Sequence, residues 1–531
     1  MINMFMDFIL ALLPIIWLFV AFLVLKLPGH IGCASALVIA IVEAVVLKSM
    51  GISETLAGLT VGEGLTASVE GAIGAIWPIG LIIIAAMFTY NLCLETKAMD
   101  LIKNMLTSVT NDKRVLVLIL AWGFGGFMEA VAGFGTAVAI PAAMMVALGF
   151  NPLFSAVACL IANAAPPTFG SIGIPTTTAA GLIGVDPLLV AGPAMNLLVI
   201  PALLSPFFII ALIGSTEKSK NAFKGMVGFT ALAGLSYVIP ALAMAHFVGA
   251  EMVDLIGNTV SLIVMVLVAS KRKPTEDPDF IMTLNAEEKE HLKDIPFGNV
   301  AAWSPYILML VLLIGTSKLV APLNAFLGQF KIAFTVYSGE NPATVSLAIF
   351  NSAVMLFLAG IIGGFIQKAS VGTMVTVLGR TLKGMWKAIA TIVFIIALAK
   401  VMGYSGMTSS IAILLANLTG SFYPALAPLV GIIGTFVTGS TTSAGVIFAQ
   451  MQAEVAGILG VDAVQLVAAN MAGGAIGKLI SPQSIAIAVA AIGTIEGVKS
   501  TDSAIMSKTV KYCVLFGAIV CAMSYITAVV L

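Results

Sequence analysis

Residues 123–175 read GFGGFMEAVAGFGTAVAIPAAMMVALGFNPLFSAVACLIANAAPPTFGSIGIP, an apolar run that carries Glu129 and is broken twice by glycine and proline clusters. Residues 431–482 repeat it as GIIGTFVTGSTTSAGVIFAQMQAEVAGILGVDAVQLVAANMAGGAIGKLISP. Asn163 and Asn470, 307 residues apart, anchor the match. Each is followed by Ala at +2 (Ala165, Ala472), Gly at +7 (Gly170, Gly477) and Pro at +12 (Pro175, Pro482). Upstream, Gly123 and Gly126 align with Gly431 and Gly434 at an offset of 308. Hydrophobic segments interrupted at corresponding places in two halves of a chain point to a transporter's binding site.

The composition around these stretches excludes most other classes. The 531 residues are 60% hydrophobic and only 9% charged, whereas soluble chains carry about 25% charged residues. This is a polytopic membrane protein whose first partner is the lipid bilayer. A net charge of +0 argues against a nucleic-acid surface. Cys33, Cys93, Cys159, Cys513 and Cys521 form no disulfide or metal framework, and His30, His246 and His291 are too far apart for a zinc cluster. No cofactor is expected. The run 8–25 has no basic stretch before it and no small-residue cleavage site, so it reads as an uncleaved span.

A span needs about 20 apolar residues. That length predicts spans near 8–25, 31–47, 72–94, 188–213, 226–247, 251–269, 303–320, 346–366, 388–402 and 509–530. Residues 116–131 and 136–148, joined by Ala132-Gly133-Phe134-Gly135, are each too short to cross and suit a re-entrant helical hairpin; 426–437 and 444–459, joined by 438–443, suit a second. A span broken in mid-course follows each, near 153–184 and 463–493. Such backbone survives at membrane depth only where protein or a water-filled cavity covers it. Segments 96–110 and 370–387 read as interfacial amphipathic helices.

Placing loop 214–225 and linker 271–299 in the cytoplasm puts 20 of the 25 basic residues inside, as the positive-inside rule requires. The layout has twelve spans and makes the two halves inverted. Repeat one is 1–213, with hairpin 115–149 and broken span 153–184. Residues 214–302 hold two inserted spans and a charged cytoplasmic linker. Inverted repeat two is 303–531, with hairpin 422–459 and broken span 463–493. The fold class is therefore all-α and polytopic.

The runs Glu129-Ala-Val-Ala-Gly-Phe-Gly-Thr136, Ile161-Ala-Asn-Ala-Ala-Pro166, Gly439-Ser-Thr-Thr-Ser443, Ala468-Ala-Asn470 and Gly477-Lys-Leu-Ile-Ser-Pro-Gln-Ser-Ile485 resemble the lactate permease family through most of the chain. The resemblance implies proton-coupled uptake of lactate, glycolate and related 2-hydroxy acids across the bacterial cytoplasmic (inner) membrane. It also implies membership of the wider ion-transporter superfamily, with elevator-like motion and frequent homodimers. Thr441 stands where the family's second tip usually has aspartate, and Ala130, Val131 and Ala137 also depart from its first tip.

A small 2-hydroxy acid brings a carboxylate and a hydroxyl, and an uncompensated carboxylate is very costly in a low dielectric. The second arm of each hairpin begins at a helix N-terminus, which offers N–H groups and partial positive charge. Gly133 and Gly135 allow close approach of an anion, and Thr136, Ser440, Thr441, Thr442 and Ser443 add hydroxyls. Asn163 and Asn470 are expected where the broken spans unwind, with amides for the hydroxyl or the carboxylate. The alternative is that the small residues serve helix packing and the asparagines cap half-helices.

Lys478, in the second break, supplies a counter-charge for the carboxylate or reaches a headgroup. Glu129, desolvated before the first tip, is the expected carrier of the coupled proton or a permanent partner of Lys478. Glu43, Glu454, Lys400, His246 and Asn196 carry no assigned role. Sodium coupling and an anion channel stay open as alternatives. No His-Glu-x-x-His pair, Gly-x-Ser-x-Gly elbow or phosphate loop speaks for an enzyme.

Overall fold

A computed structural model describes residues 2–51, 55–282, 295–340, 342–493 and 501–530. Residues 283–294 of the expected linker, with Lys289 and Lys293, lie outside the described residues, as do Glu54 and Lys499. Twelve helices among the described residues are long and apolar enough to cross a membrane: Met4–Val24, Gly29–Met50, Val61–Glu95, Lys113–Val131, Pro187–Thr216, Val227–Phe247, Ala250–Ala269, Asn299–Thr316, Val371–Tyr404, Met407–Thr438, Ala463–Ile492 and Thr501–Val529. The tally equals the sequence expectation, but two members differ.

Lys113–Val131 replaces the expected short arm 116–131. Asp112 starts it earlier by accepting from the backbone N–H of Arg114 and pairing with that side chain at 2.8 Å. Its 19 residues reach about 28 Å at 1.5 Å per residue, close to the membrane thickness. Met407–Thr438 adds a helix, Met407–Thr419, that the sequence reading left unassigned. Conversely, 153–184 divides into Pro152–Ala162 and Gly170–Leu182. The expected span 346–366 keeps only Ser352–Ile366.

The residues before Ser352 have another use. Thr344–Ala348 pairs antiparallel with Lys331–Thr335, Lys331 opposite Ala348 and Thr335 opposite Thr344. Alternating Thr, Val, Ser and Leu suits a strand with one apolar face. A second correction concerns 370–387, which is not a separate interfacial helix. Ser370 caps a single 34-residue helix, Val371–Tyr404, and no proline interrupts it. Within Val61–Glu95 the helix kinks at Trp77 (φ −117°, ψ 114°), the residue before Pro78, where proline disfavours helical backbone.

Helix starts repeat one local device. Asn151, Asp186 and Ser481 each cap with a side-chain oxygen, and each is followed by proline at the first helical position. Contacts between loops agree with the sidedness inferred from charge. Lys113 pairs with Glu217 at 3.3 Å, Arg380 with Glu95 at 2.6 Å and Lys318 with Asp186 at 2.5 Å. Each pair joins segments that the layout puts on one side. Asn196 bonds His246 at 2.9 Å on the neighbouring helix. Lys400 turns inward to the buried Glu70 at 2.7 Å.

The centre of the molecule is the segment 114–131, buried along its whole length. In the second half of the chain, Tyr423–Thr438 and Ala463–Gly477 pack backbone to backbone. A Cβ on Gly431 would meet the carbonyl oxygen of Asn470 at 2.0 Å, one on Gly473 that of Pro428 at 2.0 Å, and one on Gly477 that of Ile432 at 2.5 Å. Glycines thus let two helices approach where lipid supplies no hydrophobic drive between them. Gly473→Ala is expected to destabilise the detergent-solubilised protein by about 1–3 kcal/mol, read as a lower thermal midpoint. Gly457→Ala, at an exposed helical site with nothing within 4 Å, should leave the midpoint unchanged or raise it. Equal midpoints for the two variants would refute this account of the packing.

Candidate functional site

Helix Gly125–Val131 ends in a tip where Gly133, Phe134 and Gly135 are all left-handed (φ 60°, 51° and 87°). Helix Thr136–Ala147 leaves it. Glycine tolerates such backbone, but Phe134 has to be held there by its surroundings, at about 1–3 kcal/mol. Gly133 packs against Ser171, whose hydroxyl donates to the carbonyl of Ala132 at 3.1 Å. The hydroxyl of Thr136 points back into the preceding arm and donates to the carbonyl of Gly133 at 2.8 Å. Its proton is committed within the tip.

The second tip is simpler. Gly439 alone is left-handed (φ 71°) at the end of Tyr423–Thr438, and Ser440 caps Thr441–Leu459 by accepting from the N–H of Ser443 at 3.2 Å. Ser440 is thus a helix cap, a role that the sequence alternative gave to the asparagines. Thr441 is buried and its hydroxyl has no partner among the described residues. Ser443 is buried and Thr442 half-buried beside it.

Both tips rest on helix Pro482–Ile492. A Cβ on Gly439 would fall 2.0 Å from Oε1 of Gln483, and one on Gly135 would fall 2.5 Å from Cδ1 of Ile487. Gln483 and Ile487 lie one turn apart on the same face. The structure therefore brings the two glycine turns to one helix, a convergence that the matched spacing alone does not reveal.

The two breaks are not equivalent. Asn163 ends Pro152–Ala162 and is followed by a 3-10 turn, Pro166–Thr168. Ser171, Ile172 and Gly173 are then left-handed (φ 46°, 59° and 74°). For the β-branched Ile172 this is a marked outlier. Asn470, in contrast, lies inside the regular helix Ala463–Gly477, and unwinding comes only at 478–481. The expectation that both asparagines mark the unwinding holds for Asn163 alone. Pro166 and Pro167 stop the first helix three residues after Asn163, whereas no proline follows Asn470 before Pro482.

Lys478, the residue that ends Ala463–Gly477, carries the charge of the second break into the first arm. Its Nζ lies 2.8 Å from Oε1 of Glu129. The other oxygen of Glu129 accepts from Nδ2 of Asn163 at 3.3 Å. Lys478 is therefore turned inward, away from any headgroup, and Glu129, 2% exposed, has both oxygens engaged. Gly170 makes room for the pair, since a Cβ there would meet Oε1 of Glu129 at 2.8 Å. Asn470 accepts from Nε2 of Gln452 at 3.3 Å. The side-chain Oδ1 of Asn163 and Nδ2 of Asn470 are buried without partners among the described residues. Thr168 donates to the carbonyl of Met471 at 3.3 Å and ties the two broken segments together.

Sequence reasoning missed Ser171, Gln452 and Gln483. Gln483 lay within a quoted motif and Gln452 within the repeated stretch, but nothing in their spacing signals what they touch. Among the described residues no group of three His, Cys, Asp or Glu side chains could hold a metal ion.

Interrupted helices, a charge pair at their meeting point and a multi-pass helical frame define a membrane transporter. The solved structure of Neisseria gonorrhoeae MtrF, described as one of a class of antimetabolite efflux pumps, shares the fold, with a TM-score of 0.51 at 14% identity over 94% of this chain and 95% of that one. The model of the L-lactate permease family matches residues 7–531. The L-lactate permease of Streptococcus iniae is 38% identical over 455 residues, 86% of this chain and 92% of that protein. The glycolate permease GlcA of Escherichia coli (strain K12) is 32% identical over 547 residues, 96% and 94% of the two chains. The chain belongs to the L-lactate permease family.

Removing one member of a buried ion pair strands the other and costs about 3–5 kcal/mol. Lys478→Met and Glu129→Gln are each expected to lower the thermal midpoint strongly, and the double variant Glu129→Gln/Lys478→Met to recover much of the loss. Additive losses in that cycle would show that the pair is not energetically coupled.

Proposed function

We propose that this protein is a secondary active transporter that imports lactate and related small 2-hydroxy acids such as glycolate, with a coupled proton, across the bacterial cytoplasmic membrane. The observation that carries the reading is the 38% identity to an L-lactate permease, joined to a cationic side chain held at a helix break. In this reading the two glycine turns are tips of re-entrant hairpins in inverted halves, 1–213 and 303–531. They move together with the broken segments past the remaining helices as an elevator does, in a protein that can pair as a homodimer.

The carboxylate of the acid competes with Glu129 for Lys478. The unpartnered Nδ2 of Asn470 and the hydroxyl of Thr441 donate hydrogen bonds to its carboxylate, and the unpartnered Oδ1 of Asn163 accepts one from its hydroxyl. Gly133, Gly135 and the N-terminal turns begun by Thr136 and by Ser440–Ser443 give it close access to backbone N–H groups. Glu129, released when the arriving carboxylate draws Lys478 away, is the first candidate for the coupled proton. With Glu129 neutral, the substrate's own charge replaces it beside Lys478 and the loaded site stays neutral.

Uptake into proteoliposomes tests this reading. Labelled lactate is expected to accumulate under an imposed inward proton gradient, to be competed by glycolate and to show counterflow. Accumulation that follows a sodium gradient alone would replace the proton, and conduction without counterflow would favour a channel. If Glu129→Gln accumulates lactate as fully as the unaltered protein, Glu129 does not carry the proton. Lys478→Ala with unchanged lactate affinity would remove the carboxylate role.

A further inference from the structure

The two inserted helices, Val227–Phe247 and Ala250–Ala269, pack against the first arm and bring a second acid to its side. Asp254 is completely buried. The hydroxyl of Tyr237 donates to its Oδ1 at 2.7 Å, and its Oδ2 has no partner among the described residues. One turn further along, the side-chain oxygen of Asn258 lies against Gly126, where a Cβ would fall 2.1 Å away. Gly126 is one residue short of a turn before Glu129, so this helix face looks onto the arm that carries the ion pair. Asp254 interacts electrostatically with both Glu129 and Lys478, yet no cation lies within ion-pair distance of it among the described residues.

We propose that Asp254 takes up the coupled proton. This rests on the proton-coupled reading above, but it places the proton on a different carboxyl from Glu129. An acid at this depth in a membrane protein needs either a partner of opposite charge or a proton. Glu129 has the first, and would have to lose an ion pair at 2.8 Å before taking a proton. Asp254 has a free oxygen and no ion pair to break. Tyr237 fixes the carboxyl plane and leaves Oδ2 as the atom that binds and releases the proton. One proton from the aqueous phase bonds to Oδ2, the carboxylate becomes the neutral acid, and the proton leaves on the opposite side with the substrate.

Coupling follows from charge. A substrate carboxylate that settles by Lys478 adds a negative charge near Asp254 and favours its protonated form; reciprocally, a protonated Asp254 favours the anion by the same factor. The ionisable groups around it are few. Val227–Phe247 brings Tyr237 and, at its far end, His246, which is bonded to Asn196. The first arm brings Glu129 and, through it, Lys478. Asn299–Thr316 brings Tyr306, packed on Phe127. Gly170–Leu182, Leu118–Phe124 and Pro187–Thr216 contain no ionisable side chain. On its own helix Glu251 stands at the N-terminal end, toward Asp186 and Lys318.

The test compares the full chain with Asp254→Asn in proteoliposomes under an imposed proton gradient and, separately, in lactate counterflow at equal pH. Asparagine mimics the neutral acid, so gradient-driven accumulation is expected to be lost while counterflow persists. Accumulation by Asp254→Asn equal to that of the unaltered protein overturns the proposal alone. An unaltered protein that ignores the proton gradient overturns the proton-coupled reading and this proposal with it. Should Asp254→Asn give neither flux, Tyr237→Phe decides. Removing its hydrogen bond is expected to shift the pH of half-maximal uptake, and an unshifted profile rules Asp254 out.

Discussion

The ion pair between Glu129 and Lys478 spans 349 residues of chain and binds the end of the first arm to the second break. Neither charge is tolerable there alone. Burial strips both of water, and their attraction repays this only because Asn163 also bonds the carboxylate and Gly170 leaves space for it. Once the pair is fixed, much else follows. The first arm has to end near the second break, and the first tip has to lie against Ser171 and Ile487.

The surrounding backbone carries the strain of that arrangement. Phe134, Ser171 and Ile172 hold left-handed conformations that L-residues with side chains avoid, and they flank the charge pair on two sides. The second tip and the second break use gentler means, one left-handed glycine and a serine cap before Pro482. The first stretch therefore stores more conformational energy than its sequence partner. Close glycine contacts along Gly431, Gly473 and Gly477 stiffen the helices behind the second tip. Rigid support on one side and strained backbone on the other thus distinguish two stretches that share one spacing pattern.

Much of this was legible in the order of residues. Apolar run lengths located nine of the twelve span-capable helices, and the broken-span pattern located a tenth, Ala463–Ile492. Gly133 through Gly135 and Gly439 announced the turns, and the lone acid and base in apolar stretches singled out Glu129 and Lys478 as a pair worth weighing. Other features were hidden. Asn163 and Asn470 sit in identical spacing patterns, yet only the first ends a helix, because the two prolines after it have no counterpart after Asn470. Thr136 reads in sequence as a donor for a ligand, but it donates to its own backbone first, and Ser440 accepts a backbone N–H as a helix cap. The strand Thr344–Ala348 reads in sequence as the start of a span, since five alternating residues beside an apolar run do not alter its average.

By itself the sequence determined that this chain lives in a membrane, that two of its stretches are interrupted in the same rhythm, and that a few charges lie where charges are costly. These are properties of composition and local spacing, and lipid enforces them residue by residue. Only the tertiary structure decided which oxygen faces which nitrogen. It put Lys478 on Glu129, set both tips against Gln483 and Ile487, and brought Asp254 on an inserted helix beside the first arm. Such contacts depend on how helices far apart in the chain rotate and approach one another. That is a matter of packed shape, which no periodicity along a single strand of residues encodes.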